Sequence, residues 1–266
     1  MFRSALTVAT RLVGAAVFSA ALATTASALP AFTFNPGAAM LNGSSFTADA
    51  ITVTNYSTVV LTPDGSGGAT FTDTGVLPIF GFTSGNSIAS TPGLNQPGGY
   101  GLYFGFDATG TQNTETLTPT TVGTFDTLDF QLYAYNITGA VSYSPSNTTP
   151  TGVVAPILLG SGTLNNGTVG TNLISGQVLP NANAETSFTI AAGYESFFQS
   201  PDPFYNAVFS SFINNPGQVA IGPGGFVISQ GGGSVNFLET PVPEPASLAL
   251  FGMGLAGLGL VRRRAA

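Results

Sequence analysis

Hydrophobic and polar residues alternate along much of the middle of this chain. In Leu128-Asp129-Phe130-Gln131-Leu132-Tyr133-Ala134-Tyr135, the residues Leu128, Phe130, Leu132 and Ala134 fall on one face and Asp129, Gln131, Tyr133 and Tyr135 on the other. That is the period-two signature of a half-buried strand. Segments 46–53 and 56–62, separated at Asn55, read the same way, as do 69–73, 100–107, 128–137 and 185–190. Residues 153–164 are more continuously apolar, as in a central strand, and Asn166-Gly167 after them is a hairpin signal because both turn positions favour φ > 0. Segments 219–221, 226–229 and 234–238 form a closing meander through Gly224-Gly225 and Gly231-Gly232-Gly233. In 204–213 the apolar residues lie at helical spacing but are β-formers, so the segment is read as a strand buried on both faces, with a helix as the alternative. No fixed repeat joins these segments. Many short strands with turn signals between them predict an all-β domain, a single jelly-roll-like β-sandwich.

The two ends have a different texture. Arg3 and Arg11 flank a short basic start, residues 12–22 are apolar and small, and Ala26-Ser27-Ala28 offers an A-x-A cleavage site, so 1–28 reads as a secretory signal peptide. Residues 29–238 are then the ectodomain and 239–245 a linker containing Pro243-Glu244-Pro245, which cannot continue a helix. The uncharged stretch 246–261 would reach about 24 Å as a helix, a short transmembrane span. Arg262, Arg263 and Arg264 follow within a basic tail, 262–266, and hold that end in the cytoplasm.

Pro243-Glu244-Pro245, a Gly/Leu-rich span and an arginine cluster, in that order, resemble the PEP-CTERM sorting signal of Gram-negative bacteria. The resemblance implies Sec-dependent export, a transient stay in the inner membrane, and recognition of the tail by an exosortase, a membrane-embedded protease-transpeptidase. Within the body, Phe197-Phe198 followed by Pro201, Pro203, Phe204, Tyr205 and Asn206 is similar to a block in the flocculation-associated branch of PEP-CTERM proteins. That likeness implies a cell-surface or extracellular-matrix protein promoting aggregation with exopolysaccharide, as in a biofilm matrix.

Charge sharpens the picture. All five basic residues are the terminal arginines already named, so no cationic side chain occurs between Leu29 and Leu238; of the twelve carboxylates, all but Glu239 and Glu244 lie in that body. Such an anionic body has no footprint for nucleic acid. With no His, Lys or Cys, the ordinary nucleophilic triads and dyads cannot be assembled and zinc or copper loses its usual ligands, so no enzyme is expected. Asp73-Thr74-Gly75 matches the aspartic-protease triplet, but there is no second copy, and the plainer reading is a strand end entering a turn. Glu185 and Glu195 are the one carboxylate pair considered for glycoside hydrolysis. Calcium is the cofactor that the composition permits, with Asp126 and Asp129 as the first candidates.

Two non-catalytic functions follow. A sheet protein with no Lys has few guards on its strand edges, so self-association through edges is expected. Alternatively Tyr100, Tyr103, Tyr133 and Tyr135 stack on sugars in a carbohydrate-binding module, unless they pack in the core.

Overall fold

The computed structural model describes residues 29–238, which leaves the signal peptide, the Pro-Glu-Pro linker and the apolar and basic tail outside the described residues. The chain opens with β1 (Phe32–Phe34), a 3-10 turn (Pro36–Ala39) and β2 (Phe46–Ala48). The long strands β3 (Ala50–Pro63) and β4 (Ala69–Ser84) precede a two-residue β5 (Ser87–Ile88). Next come β6 (Tyr100–Gln112), β7 (Val122–Asn136), β8 (Ile157–Ile174), β9 (Gln177–Ser187) and β10 (Thr189–Ile190). A second 3-10 turn (Glu195–Phe197) leads to β11 (Phe198–Ser200), β12 (Ala207–Ile213), β13 (Val219–Gly222) and β14 (Gly225–Leu238).

The all-β layout expected from alternation is the one that forms, and its connectivity refines the jelly-roll-like path. The long strands pair antiparallel in the order β3-β4-β6-β7-β8-β9-β12-β14, and β14 pairs back onto β3. The facing layers are therefore two halves of one sheet closed into a ring. Most ring neighbours are consecutive strands, the path of a meander. Closure gives each long strand a neighbour on both sides, so among the described residues the strands left with one open side are the short β2, β5, β10, β11 and β13. The unguarded edges expected from the missing lysines are thus largely consumed by the ring itself.

Side chains obey strand parity. Along β3 the residues Ile51, Val53, Asn55, Ser57, Val59 and Leu61 are buried while their neighbours are half-buried or exposed. The small sheet β11-β1-β2 packs against one end of the ring, where Phe32, Phe34, Phe46, Phe82, Phe197 and Phe237 share a core. The opposite end has a smaller cluster around Val59, Leu61, Phe71 and Phe226. A long segment between β7 and β8, residues 137–156, crosses the outer face: Thr58 Oγ1 donates to Pro145 O at 3.0 Å, and Val141, Tyr143 and Val153 pack with Val76, Tyr103 and Tyr135.

Three local readings change. Asn166-Gly167 does not turn the chain; it lies inside β8 at a register shift, and the hairpin turns at Ser175 and Gly176, both with positive φ. The cross-strand pairing of β8 with β9 on both sides of that bulge outweighs the local turn preference. Residues 207–213 do form a strand, not a helix, but one face is open, since Phe209 and Ile213 are exposed. Asp73-Thr74-Gly75 sits mid-strand rather than at a turn. Gly75 is needed there because a Cβ would come within 2.4 Å of Tyr56 O and 2.5 Å of Ser57 Cβ.

Candidate functional site

Inward residues of all eight ring strands surround a lumen with a cavity of about 100 Å³. Its wall is mainly apolar, with Phe71, Phe104, Phe106, Phe125, Phe130 and Phe226 among the lining residues. Leu117 and Thr121 complete the wall from the β6–β7 connection. That connection is braced by its own threonines, Thr114 Oγ1 lying 2.7 Å from Thr121 Oγ1, and by Thr171, whose Oγ1 donates to Thr118 O at 2.7 Å.

A polar minority converges on this apolar space. Asp73 faces inward from β4, opposite Val59 of β3 and Ala108 of β6. Its Oδ1 is buried and has no hydrogen-bond partner among the described residues. Burial pushes its pKa up to about 7; the charge of Asp107 adds to the rise, and the Ser57 hydroxyl beside it offsets only part. Ser57 Oγ itself closes no hydrogen bond of sound geometry. Asn55 is 5% exposed and Asn214 2%, both line the cavity, and the Oδ1 of each is also unpartnered. Asn214 Nδ2 is spent on Pro180 O at 2.7 Å, which leaves its carbonyl oxygen as the free end. Room for that oxygen comes from Gly231, opposite Asn55 at a bulge in β14, where a Cβ would fall 2.2 Å from Asn214 Oδ1.

Asn55, expected between two strands, lies inside β3, and Asn214 is a cavity residue that the sequence pattern does not mark. For Asn55 the signal was present, since it shares parity with Ile51, Val53 and Val59. For Asn214 there was none, because it stands just past the end of β12.

A second depression of about 640 Å³ lies on the outer face between the 137–156 segment and strands β3 and β4. Tyr56 stacks on Tyr143 with ring centroids 5.6 Å apart, and Tyr143 Oη lies 3.2 Å from Tyr135 Oη. Phe80, largely exposed, and the amides of Asn95, Gln218 and Gln230 join them, and no charged side chain lines this groove.

Most of the tyrosines expected to stack on sugars are instead interior. Tyr100, Tyr103 and Tyr135 are buried, and burial raises the pKa of each, Tyr103 to about 12. Tyr133 is half-buried and stacks on Tyr103 at 5.2 Å. Glycines let these rings close in: at Gly101 a Cβ would meet Tyr135 Oη at 2.3 Å.

The Phe-Pro block is structural in its contacts. Phe197 and Phe198 are buried against Phe34, Phe204 packs on Phe198 and Phe237, and Tyr205 Oη donates to Ala31 O at 2.8 Å. Pro201 and Pro203 form the bend that returns the chain to Asn206 and β12, and Asn206 O accepts from Phe188 N–H at 2.7 Å. Glu185 and Glu195 are not brought into a common site: Glu185 accepts from Asn166 Nδ2 at 3.1 Å on β9, whereas Glu195 accepts from Gly193 N–H in the second 3-10 turn. Asp126 and Asp129 are exposed on β7, and Asp129 stands directly across from Asp107. Among the described residues, no three acidic, His or Cys side chains gather as a metal site. Ala26, Ala28, Pro243, Glu244, Pro245 and Arg262 to Arg264 all lie outside the described residues, and no described helix is long and apolar enough to cross a membrane.

Fold and site together define a closed antiparallel β body with an aromatic lumen. Residues 241–264 of the same chain match the PEP-CTERM protein-sorting motif. The motif makes the chain an exosortase target bound for export and the cell surface. No curated protein and no solved structure matches the chain.

Proposed function

We propose that this protein is an exported, exosortase-processed matrix or surface protein of the flocculation-associated type, non-catalytic, which promotes aggregation of Gram-negative cells by engaging exopolysaccharide. The sorting motif at 241–264, following a body without a single cationic side chain, carries the reading. The Phe-Pro block adds to it. Threonine-rich strand faces supply hydrogen-bonding groups to a glycan, as in the exposed Thr109–Thr127 pair at 2.8 Å. Calcium, bridging exposed carboxylates such as Asp126 and Asp129 to acidic polymers, would extend the same attraction. Before cleavage the apolar span 246–261 holds the protein in the inner membrane.

Cell fractionation with terminal mass spectrometry, in strains with and without the exosortase, tests the route. The expected mature species begins at Leu29 and lacks the arginine tail only when the exosortase is present; a surface species still ending at Ala266 in the normal strain overturns it. Deleting the gene is expected to abolish flocculation, and unchanged settling removes the aggregation role.

A carbohydrate-binding module is the second reading, favoured by the uncharged tyrosine and amide groove on the outer face. Tyrosine rings and planar amides suit sugar faces and hydroxyls. Affinity electrophoresis against neutral and acidic polysaccharides decides it: selective retardation lost in Tyr143→Ala supports the module, and uniform mobility rejects it.

A further inference from the structure

The lumen presents a chemical problem that the fold does not solve internally. Asp73 Oδ1, Asn55 Oδ1 and Asn214 Oδ1 are buried hydrogen-bond acceptors on one cavity, and none has a partner among the described residues. Ser57 Oγ lies in the same row on β3, between Asn55 and Val59. A polar group buried without a partner is costly, and a carboxylate more so. Proteins ordinarily pair such a carboxylate with Arg, Lys or His, but the body has none of these side chains anywhere. Any counter-charge in the lumen must therefore arrive with something bound.

The walls narrow what that is. By strand register, Phe71 is two residues from Asp73 on the same face, Phe106 is its diagonal neighbour across β6, and Phe226 lies beyond Val59 on β14. Aromatic rings attract a cation to their faces and fit an apolar body, whereas a small metal ion needs a nearly complete oxygen shell. Size sets the last bound, since an apolar cavity of about 150 Å³ in another protein holds one benzene. A cavity of about 100 Å³ takes a somewhat smaller ligand.

We propose that the barrel lumen binds a compact organic ammonium ion, its charged end donating to Asp73 and the neighbouring amide and hydroxyl oxygens and its short apolar body against the phenylalanines. The high pKa of Asp73 is consistent with this role, because a carboxyl held unpaired inside an aromatic wall ionises readily only when a cation joins it.

The test uses the full chain in a non-ionic detergent, titrated calorimetrically with propylammonium chloride, with its neutral isostere propan-1-ol, and with calcium chloride. One-to-one binding of the ammonium ion at least tenfold tighter than propan-1-ol is expected. In Asp73→Asn, which preserves side-chain volume, that preference should fall to about twofold or less. Ala182→Leu, which fills the lumen from β9, should abolish binding while leaving the ring folded by circular dichroism. Equal affinity for alcohol and amine, no saturable binding of either, preferential binding of calcium, or an undiminished preference in Asp73→Asn would each overturn the proposal.

Discussion

The two ends of the ring use nearly the same residues to opposite effect. At the end covered by β1, β2 and β11, the ring of Phe34 has those of Phe46, Phe82, Phe197, Phe198 and Phe237 with centroids 4.9 to 6.1 Å away. Phe34 is fully buried, and Tyr205, stacked on Phe237, spends its hydroxyl on Ala31 O. Towards the other end, phenylalanines again line the interior, but they surround a cavity, a lone carboxyl and unpartnered amide oxygens. The aromatic end behaves as a core whose packing stabilises the ring. The lumen carries costs that packing alone would have removed, which is the mark of a site kept for something other than stability.

The sharpest way to break the comparison is to truncate both ends. Phe34→Ala should cost roughly 3–5 kcal/mol, the range for a fully buried aromatic, and show as a large fall in melting temperature. Phe125→Ala, at a half-buried ring of the lumen wall, should cost clearly less; equal losses would mean that the lumen is as tightly packed as the plug.

Asp73→Asn should move stability the other way. The folded-state pKa of about 7 lies above the unfolded value, so the native state holds a proton that the unfolded chain has released. The group therefore costs nothing below about pH 4, stability falls as pH rises towards 7, and the full penalty persists above it. Asp107, exposed on the outer face of β6 beside Thr74, adds to the rise through its charge. Removing the carboxyl should stabilise the protein by roughly 2–4 kcal/mol at pH 8 and hardly at all at pH 4. Denaturant midpoints at both pH values read this directly, and a variant equally stabilised at both would show that Asp73 is not held neutral.

The smallest expected effect lies outside the ring. Asp129→Thr relieves the like charge opposite Asp107 and should add a few tenths of a kcal/mol at low salt, vanishing at high salt. A destabilisation there would point to a cation already bridging the pair.

Much of the ring could be read from alternation, because period-two patterning decides which side chains turn inward in a strand. Residues 128–135 behave as their pattern says, with Phe130, Leu132 and Ala134 buried. Closure could not be read, since it depends on β14 meeting β3 and β9 meeting β12, which no local window contains. Asp73 was noticed for the wrong reason: the triplet with Thr74 and Gly75 suggested a turn, while its inward parity with Phe71 was the informative feature. The tyrosines of β6 and β7 were ambiguous because their outer face is covered by 137–156, a segment with no strand signature of its own. The sorting tail was legible because its chemistry is linear, a breaker, a greasy stretch and arginines, and needs no fold to be seen.

The seam between β3 and β14 sets a timetable for the cell. An early strand cannot complete its hydrogen-bond ladder until Val235 has reached Ile51, near the C-terminal end of the body. Leu238 ends β14, and the sorting motif begins at residue 241. Translocation must therefore be almost finished before the last ladder can zip, and along the sequence two residues separate the end of that strand from the start of the motif that the exosortase recognises.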